Sequence, residues 1–214
     1  MKILRNSVMT LLASATVFAA TNASALPTGW VDSLTAWTAT ASSCSVDESS
    51  FGKYEFNGSQ FRYLGTNIST TVGTPPFVLS QPIVVRCNVT PIYDYVKGLP
   101  DGFIPNAVAK SPDWNTLIVG YKDADGVLTT TRVSAVLKRV IRSSLVESTV
   151  ATFDSNLFTS LVAHEDVKAF THAFDFQNNS YYVELSLTRA NTSVITPTVY
   201  SVRLANGHLP NSPF

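Results

Sequence analysis

From Leu117 to Leu204 the chain alternates apolar and polar residues segment after segment, and few folds other than an antiparallel sheet accept that pattern. In Leu117-Ile118-Val119-Gly120-Tyr121-Lys122 the odd positions are large and apolar. A turn follows at Asp123-Ala124-Asp125-Gly126, and the β-branched stretch from Val127 to Ile141 completes an expected hairpin. Val133, Ala135 and Leu137 share one face, but Val140 falls out of phase, which predicts a β-bulge near Lys138 and Arg139. Further strands are expected at Ser148 to Phe153, Phe170 to Phe176, Tyr181 to Arg189 and Thr198 to Leu204. Tyr181, Val183, Leu185 and Leu187 alternate with Tyr182, Glu184, Ser186 and Thr188, the mark of a sheet with one face buried.

The N-terminal half is less regular. Strands are expected at Lys53 to Phe56, Gln60 to Leu64, Phe77 to Ser80 and Ile83 to Val89. Trp30, Leu34 and Trp37 fit either one face of a short helix or an irregular arm laid on the sheets. The prolines between Thr90 and Asp113 mark a long loop, and Tyr93, Tyr95, Phe103 and Trp114 make it rich in aromatics. The expected fold is all-β, a single antiparallel β-sandwich that is jelly-roll-like or immunoglobulin-like. Its expected organisation is a signal peptide over 1–25, an N-terminal arm over 26–50, the sandwich over 51–206 and a tail over 207–214.

The signal peptide rests on Lys2 and Arg5, the apolar stretch Val8 to Ala20 and the small residues Ala23-Ser24-Ala25, with cleavage expected after Ala25. A secreted or periplasmic protein of bacterial type is the expectation, with no membrane span in the mature chain. Cleavage leaves 13 Lys and Arg against 15 Asp and Glu, a charge near −2 that excludes the basic footprint of nucleic-acid binding. Cys44 and Cys87 are the only cysteines, and an even pair in an oxidising compartment predicts a disulfide between them.

Few residues are placed for chemistry. Asp123 and Asp125 before Gly126 resemble the start of a calcium loop, but the third oxygen ligand and the downstream Glu are missing, so a hairpin turn is preferred and calcium is the minor alternative. His164-Glu165-Asp166 with His172 has no metal-ligand spacing, and His172, in phase with Phe170, Phe174 and Phe176, reads as a hydrogen-bonded structural histidine. Glu147, Glu184, Asp154 and Asp175 lie on or beside strands with nothing to pair them. No nucleophile elbow, P-loop, zinc-protease or dinucleotide motif occurs, so no catalytic residue, metal or cofactor is assigned.

The segments Tyr121 to Gly126, Val150 to Asn156, Phe170 to Phe176 and Tyr181 to Arg189, with the pair Cys44 and Cys87, resemble a group of secreted bacterial two-cysteine β proteins that carry no assigned activity. That resemblance implies an exported β domain and nothing about catalysis. Ser43-Cys44-Ser45-Val46-Asp47 and the cysteine spacing resemble chaperone-usher pilus subunits more weakly, and 206–214 lacks their final aromatic-capped strand. The expected role is a non-catalytic surface or secreted domain binding an unknown protein or glycan, with Tyr93, Tyr95, Phe103 and Trp114 as the contact surface. The alternatives are a subunit assembling by strand addition and a carbohydrate-binding module, with an enzyme least favoured.

Overall fold

A computed structural model describes residues 36–64, 81–91, 94–96, 108–190 and 195–207. The expected signal peptide, Trp30, Leu34 and the strand at Phe77 to Ser80 lie outside these residues. The described chain is an antiparallel β-sandwich. One sheet has the order β11 (His164–Ala169), β8 (Thr116–Lys122), β13 (Thr198–Ala205), β4 (Gln60–Tyr63), β3 (Tyr54–Asn57), with β1 (Trp37–Thr40) also on β13. The other has the order β10 (Glu147–Asp154), β9 (Thr131–Ile141), β12 (Asn179–Arg189), β5 (Ile83–Val89), β2 (Ser45–Val46).

The alternation read from the sequence sets which side chains fill the space between the sheets. Leu117, Val119 and Tyr121 point inward from β8, and Val183, Leu185 and Leu187 from β12. All six are fully buried. Each side chain of this kind contributes about 1.5–3 kcal/mol by leaving water, so these two strands anchor the core.

The strands at Ile83–Val89 and Tyr181 onward stand where the alternation puts them, but four expectations change. β8 and β9 do not pair: they belong to opposite sheets, and 123–130 is an arch across the sandwich instead of a hairpin turn. The bulge is carried by the partner strand, where Val150 is the extra residue between Thr149, opposite Lys138, and Ala151, opposite Leu137. Phe170 to Phe176 is not a strand, and the edge strand beside β8 is the preceding His164–Ala169. The long loop from Thr90 to Trp114 contains a small ladder, β6 (Asp94–Val96) on β7 (Val108–Lys110), with Tyr95 opposite Ala109.

The stretch read as an N-terminal arm enters both sheets. β1 lies on β13, a turn at Ala41–Ser43 carries the chain across, and β2 then lies on β5. The Cys44–Cys87 disulfide sits at this crossing and links the incoming chain to β5. Their Cα atoms are 4.5 Å apart, the spacing of a directly opposed pair that makes no ladder hydrogen bonds.

Among the described residues, Gly120 is a strand position where glycine leaves room for neighbouring side chains. A Cβ there would collide with Ser201 Oγ of β13 and meet the Glu165 side chain of β11.

Candidate functional site

The two ends of the sandwich differ in what closes them. At one end Trp114 is 1 % exposed, and its ring makes edge contacts with Phe174 at 5.1 Å and Phe176 at 6.2 Å. Phe174 stacks on Phe176, and Tyr181 packs against both. The expectation that Trp114 offers an open stacking face is therefore corrected: its indole plugs the gap between the sheets. Alternation along Phe170 to Phe176 serves this plug, because a chain crossing the open end must turn large side chains inward without a ladder to join. Tyr93 and Phe103 lie outside the described residues.

His172 belongs to the same closure. Its Nε2 is 3.1 Å from Tyr181 Oη, and that oxygen also accepts from the Asp175 amide at 3.1 Å. Partial burial, with Arg139 adding to it, lowers the His172 pKa, so the imidazole is neutral near pH 7 and Tyr181 donates to it. This is the structural histidine expected from the sequence.

The opposite end gathers the described residues that follow β8 and β10 and that flank the connection from β12 to β13, and it contains the acids of the expected calcium loop. Asp123 is fully buried. It accepts hydrogen bonds from Thr131 Oγ1 at one oxygen and from Ser155 Oγ at the other. Ser155 Oγ itself accepts from the Val133 amide at 2.8 Å, so its proton is directed to Asp123. Asp125 Oδ2 caps the start of β9, taking the Thr130 and Thr131 amides at 2.8 and 2.9 Å.

Thr131 Oγ1 lies against both acids, touching Asp123 Oδ1 and standing 2.5 Å from Asp125 Oδ1. A hydroxyl has one proton to donate, so Thr131 serves only one of the two carboxyls as donor at a time. Burial pushes the Asp123 pKa up against the opposing bonds from Ser155 and Thr131. Burial acts the same way on Asp125, but the hydrogen bonds from Thr130 and Thr131 outweigh it and hold that group at about 2. Asp123 is thus the more readily protonated of the two acids, with Thr131 Oγ1 standing between them. Two neighbouring carboxyls push their pKa values apart, the more buried one upward and the other downward. Hydroxyl and amide donors occupy the oxygens that a cation would use.

This network fastens three connections at once. Asp123 and Asp125 belong to the β8–β9 arch, Ser155 opens the β10–β11 loop, and the Ala190 amide donates to Thr130 O at 2.6 Å from the β12–β13 loop. Gly126 has φ of +63°, and a Cβ there would stand 3.1 Å from Leu161 and 3.3 Å from Thr159 O, so glycine lets the arch lie on the second loop. Asp123→Asn keeps an amide oxygen for Ser155 and removes a buried carboxyl, and it is expected to change stability by less than about 1 kcal/mol. Asp125→Asn removes the charge that four donors address and is expected to cost about 1–3 kcal/mol. Asp125's folded pKa lies below its ordinary value of 3.8, so its contribution is complete above that pH and is lost as pH falls toward 2. Asp123 has the opposite sign, its raised pKa making stability fall as pH rises above 3.8. Denaturant midpoints of both variants at pH 2 to 7 check the two signs.

The remaining titratable candidates are dispersed. His164 Nε2 meets Asp166 Oδ2, which also accepts from Tyr121 Oη at 2.7 Å, and His164 Nδ1 donates to Val162 O at 2.8 Å. Burial, then the Asp166 carboxylate, raises the Tyr121 pKa. His164 and His172 stand at opposite ends of the sandwich and do not converge. Glu184 and Asp47 flank Arg86, with Arg86 Nε 2.9 Å from Glu184, and Asp47 is held at about 2 by bonds from Ser49 and then Arg86. Asp154 pairs with Arg132, Glu147 accepts from Tyr182, and Asp175 caps the turn at Gln177 and Asn178. The Asp47–Arg86–Glu184 cluster escaped sequence reasoning because it needs the register of three strands.

A cavity of about 250 Å³ lies beside the disulfide, where Trp37 and Thr38 of β1 face Cys87 and Asn88 of β5. Among the described residues no helix is long and apolar enough to cross a membrane, and no group of three or more His, Cys, Asp or Glu is placed to hold a metal. No family model matches the chain, and no curated protein matches it.

Proposed function

We propose that the protein is an exported, non-catalytic β-sandwich that acts through contacts made by its loops. The observation that carries this reading is the hydrogen-bond network of Asp123, Asp125, Thr131 and Ser155, which spends one buried and one half-buried acid on holding the loops in place. Glu184, Asp154, Glu147 and Asp175 support it, each being engaged by a partner in a separate part of the fold. A disulfide that links the chain crossing to β5 suits an oxidising compartment.

Export is tested by fractionating cells that express the full chain and alkylating the thiols before and after reduction. The expected result is protein shortened by cleavage after Ala25, with Cys44 and Cys87 alkylated only after reduction. Full-length cytoplasmic protein with both thiols free contradicts the proposal.

Strand addition is the second reading, and one observation favours it. β5 runs on past the two-residue β2, so the outward edge at Asn88 borders the cavity beside the disulfide. Against it, β13 is already paired on both sides, by β8 and by β1 with β4. A protein that remains monomeric as its concentration rises in sizing runs excludes this second reading. The carbohydrate alternative loses Trp114 as a platform, because its ring is buried beside Phe174 and Phe176.

A further inference from the structure

The loop end fastened by the acid pair turns its apolar side chains outward. Val127 and Leu128 on the arch, Leu157, Leu161 and Val162 on the β10–β11 loop, and Ile195 before β13 are 51 to 72 % exposed. They are not the debris of a loose loop. Phe158, between them in sequence, stacks on Phe153 at 5.4 Å and anchors its loop to the core, and Leu161 lies against Gly126 of the arch. An exposed cluster of this kind marks a contact surface.

The composition indicates what it contacts. The stretches 126–131, 155–163 and 195–197 contain no Asp, Glu, Lys or Arg, so burying the tips strips water from no charged side chain. Of the flanking charges, Asp125 is turned inward onto Thr130 and Thr131, and Asp154 is paired with Arg132. The exposed residues are aliphatic, without the Tyr, Trp and Arg that anchor protein interfaces. They project from separate loops, which suits a surface that closes around each tip and demands no shape match.

We infer that this end of the sandwich docks on the apolar margin of a lipid bilayer, inserting Leu128, Leu157, Leu161 and Val162. The inference rests on the reading of the protein as one that acts through its loops, and it names the class of surface they meet. Uncharged tips predict binding to zwitterionic lipid that salt does not abolish.

The test uses the oxidised protein as exported and phosphatidylcholine vesicles. The protein is expected to co-sediment with the vesicles at low and high salt. The exposed pair Leu157→Asn and Leu161→Asn is expected to reduce the sedimented fraction at least tenfold, with an unchanged circular dichroism spectrum. Wild-type protein left in the supernatant, or a double variant that sediments equally, overturns the inference. Self-association of the wild type that the same double variant abolishes, without vesicle binding, assigns the surface to a second copy and also overturns it. Export and disulfide formation are read separately by alkylation, so failure on vesicles alone leaves the parent reading standing.

Discussion

Replacing Cys44 and Cys87 together with Ala is expected to lower stability by about 4 kcal/mol, the value for closing a loop of this length in the unfolded chain. The cysteines are 43 residues apart in sequence. For a domain of this size that corresponds to a fall of roughly 10 °C in melting temperature. The location makes the loss specific. The bridge stands where the chain leaves β1 in one sheet for β2 in the other, and β2 holds β5 through only two opposed residue pairs. Hydrogen exchange should therefore accelerate first over Trp37–Val46, while β9 and β12 keep their protection. Equal acceleration throughout both sheets would show that the bridge does not act at the crossing.

Trp114→Ala is expected to cost about 3–5 kcal/mol, the range for deleting a large buried aromatic. The cavity would open beneath Phe174 and Phe176, which lose their edge contacts together. Trp114→Phe keeps an aromatic plug and should recover a large part of the loss. Urea midpoints of the two variants measure both effects. A Trp114→Ala protein as stable as the parent would place the indole outside the core and reopen the exposed-platform reading.

Ile83–Val89 and Tyr181–Arg189 were legible in the sequence because each strand has one face in the core, and burial imposes a period of two on its residues. His164–Ala169 was not, because it is an edge strand whose Glu165, Asp166 and Lys168 disguise it, as charges on edge strands commonly do. Phe170 to Phe176 misleads in the opposite direction. Its Phe and His residues alternate because they plug an end of the sandwich, and an alternating plug is indistinguishable from a strand until its ladder is sought.

The candidate site divides in the same way. The acids of Asp123-Ala124-Asp125-Gly126 stand out by residue type, but a hairpin and an arch use the same turn chemistry. The decisive partner, Ser155, is 32 residues from Asp123 and comes into reach only because β9 and β10 pair in a register that brings Ser134 opposite Asp154. The exposed Leu157 and Leu161 carry no periodic signal at all. Only the anchoring of Phe158 shows which side of their loop faces out.

Carbon-detected NMR titration of the Asp123 and Asp125 carboxyls, with and without calcium, is the most direct measurement of whether the acid pair is a hydrogen-bonded fastening for the loop end. Asp123 is expected to titrate above the ordinary carboxylate range and Asp125 at about 2, with neither moved by calcium. Two ordinary titrations, or a calcium-dependent shift of both, would contradict that account.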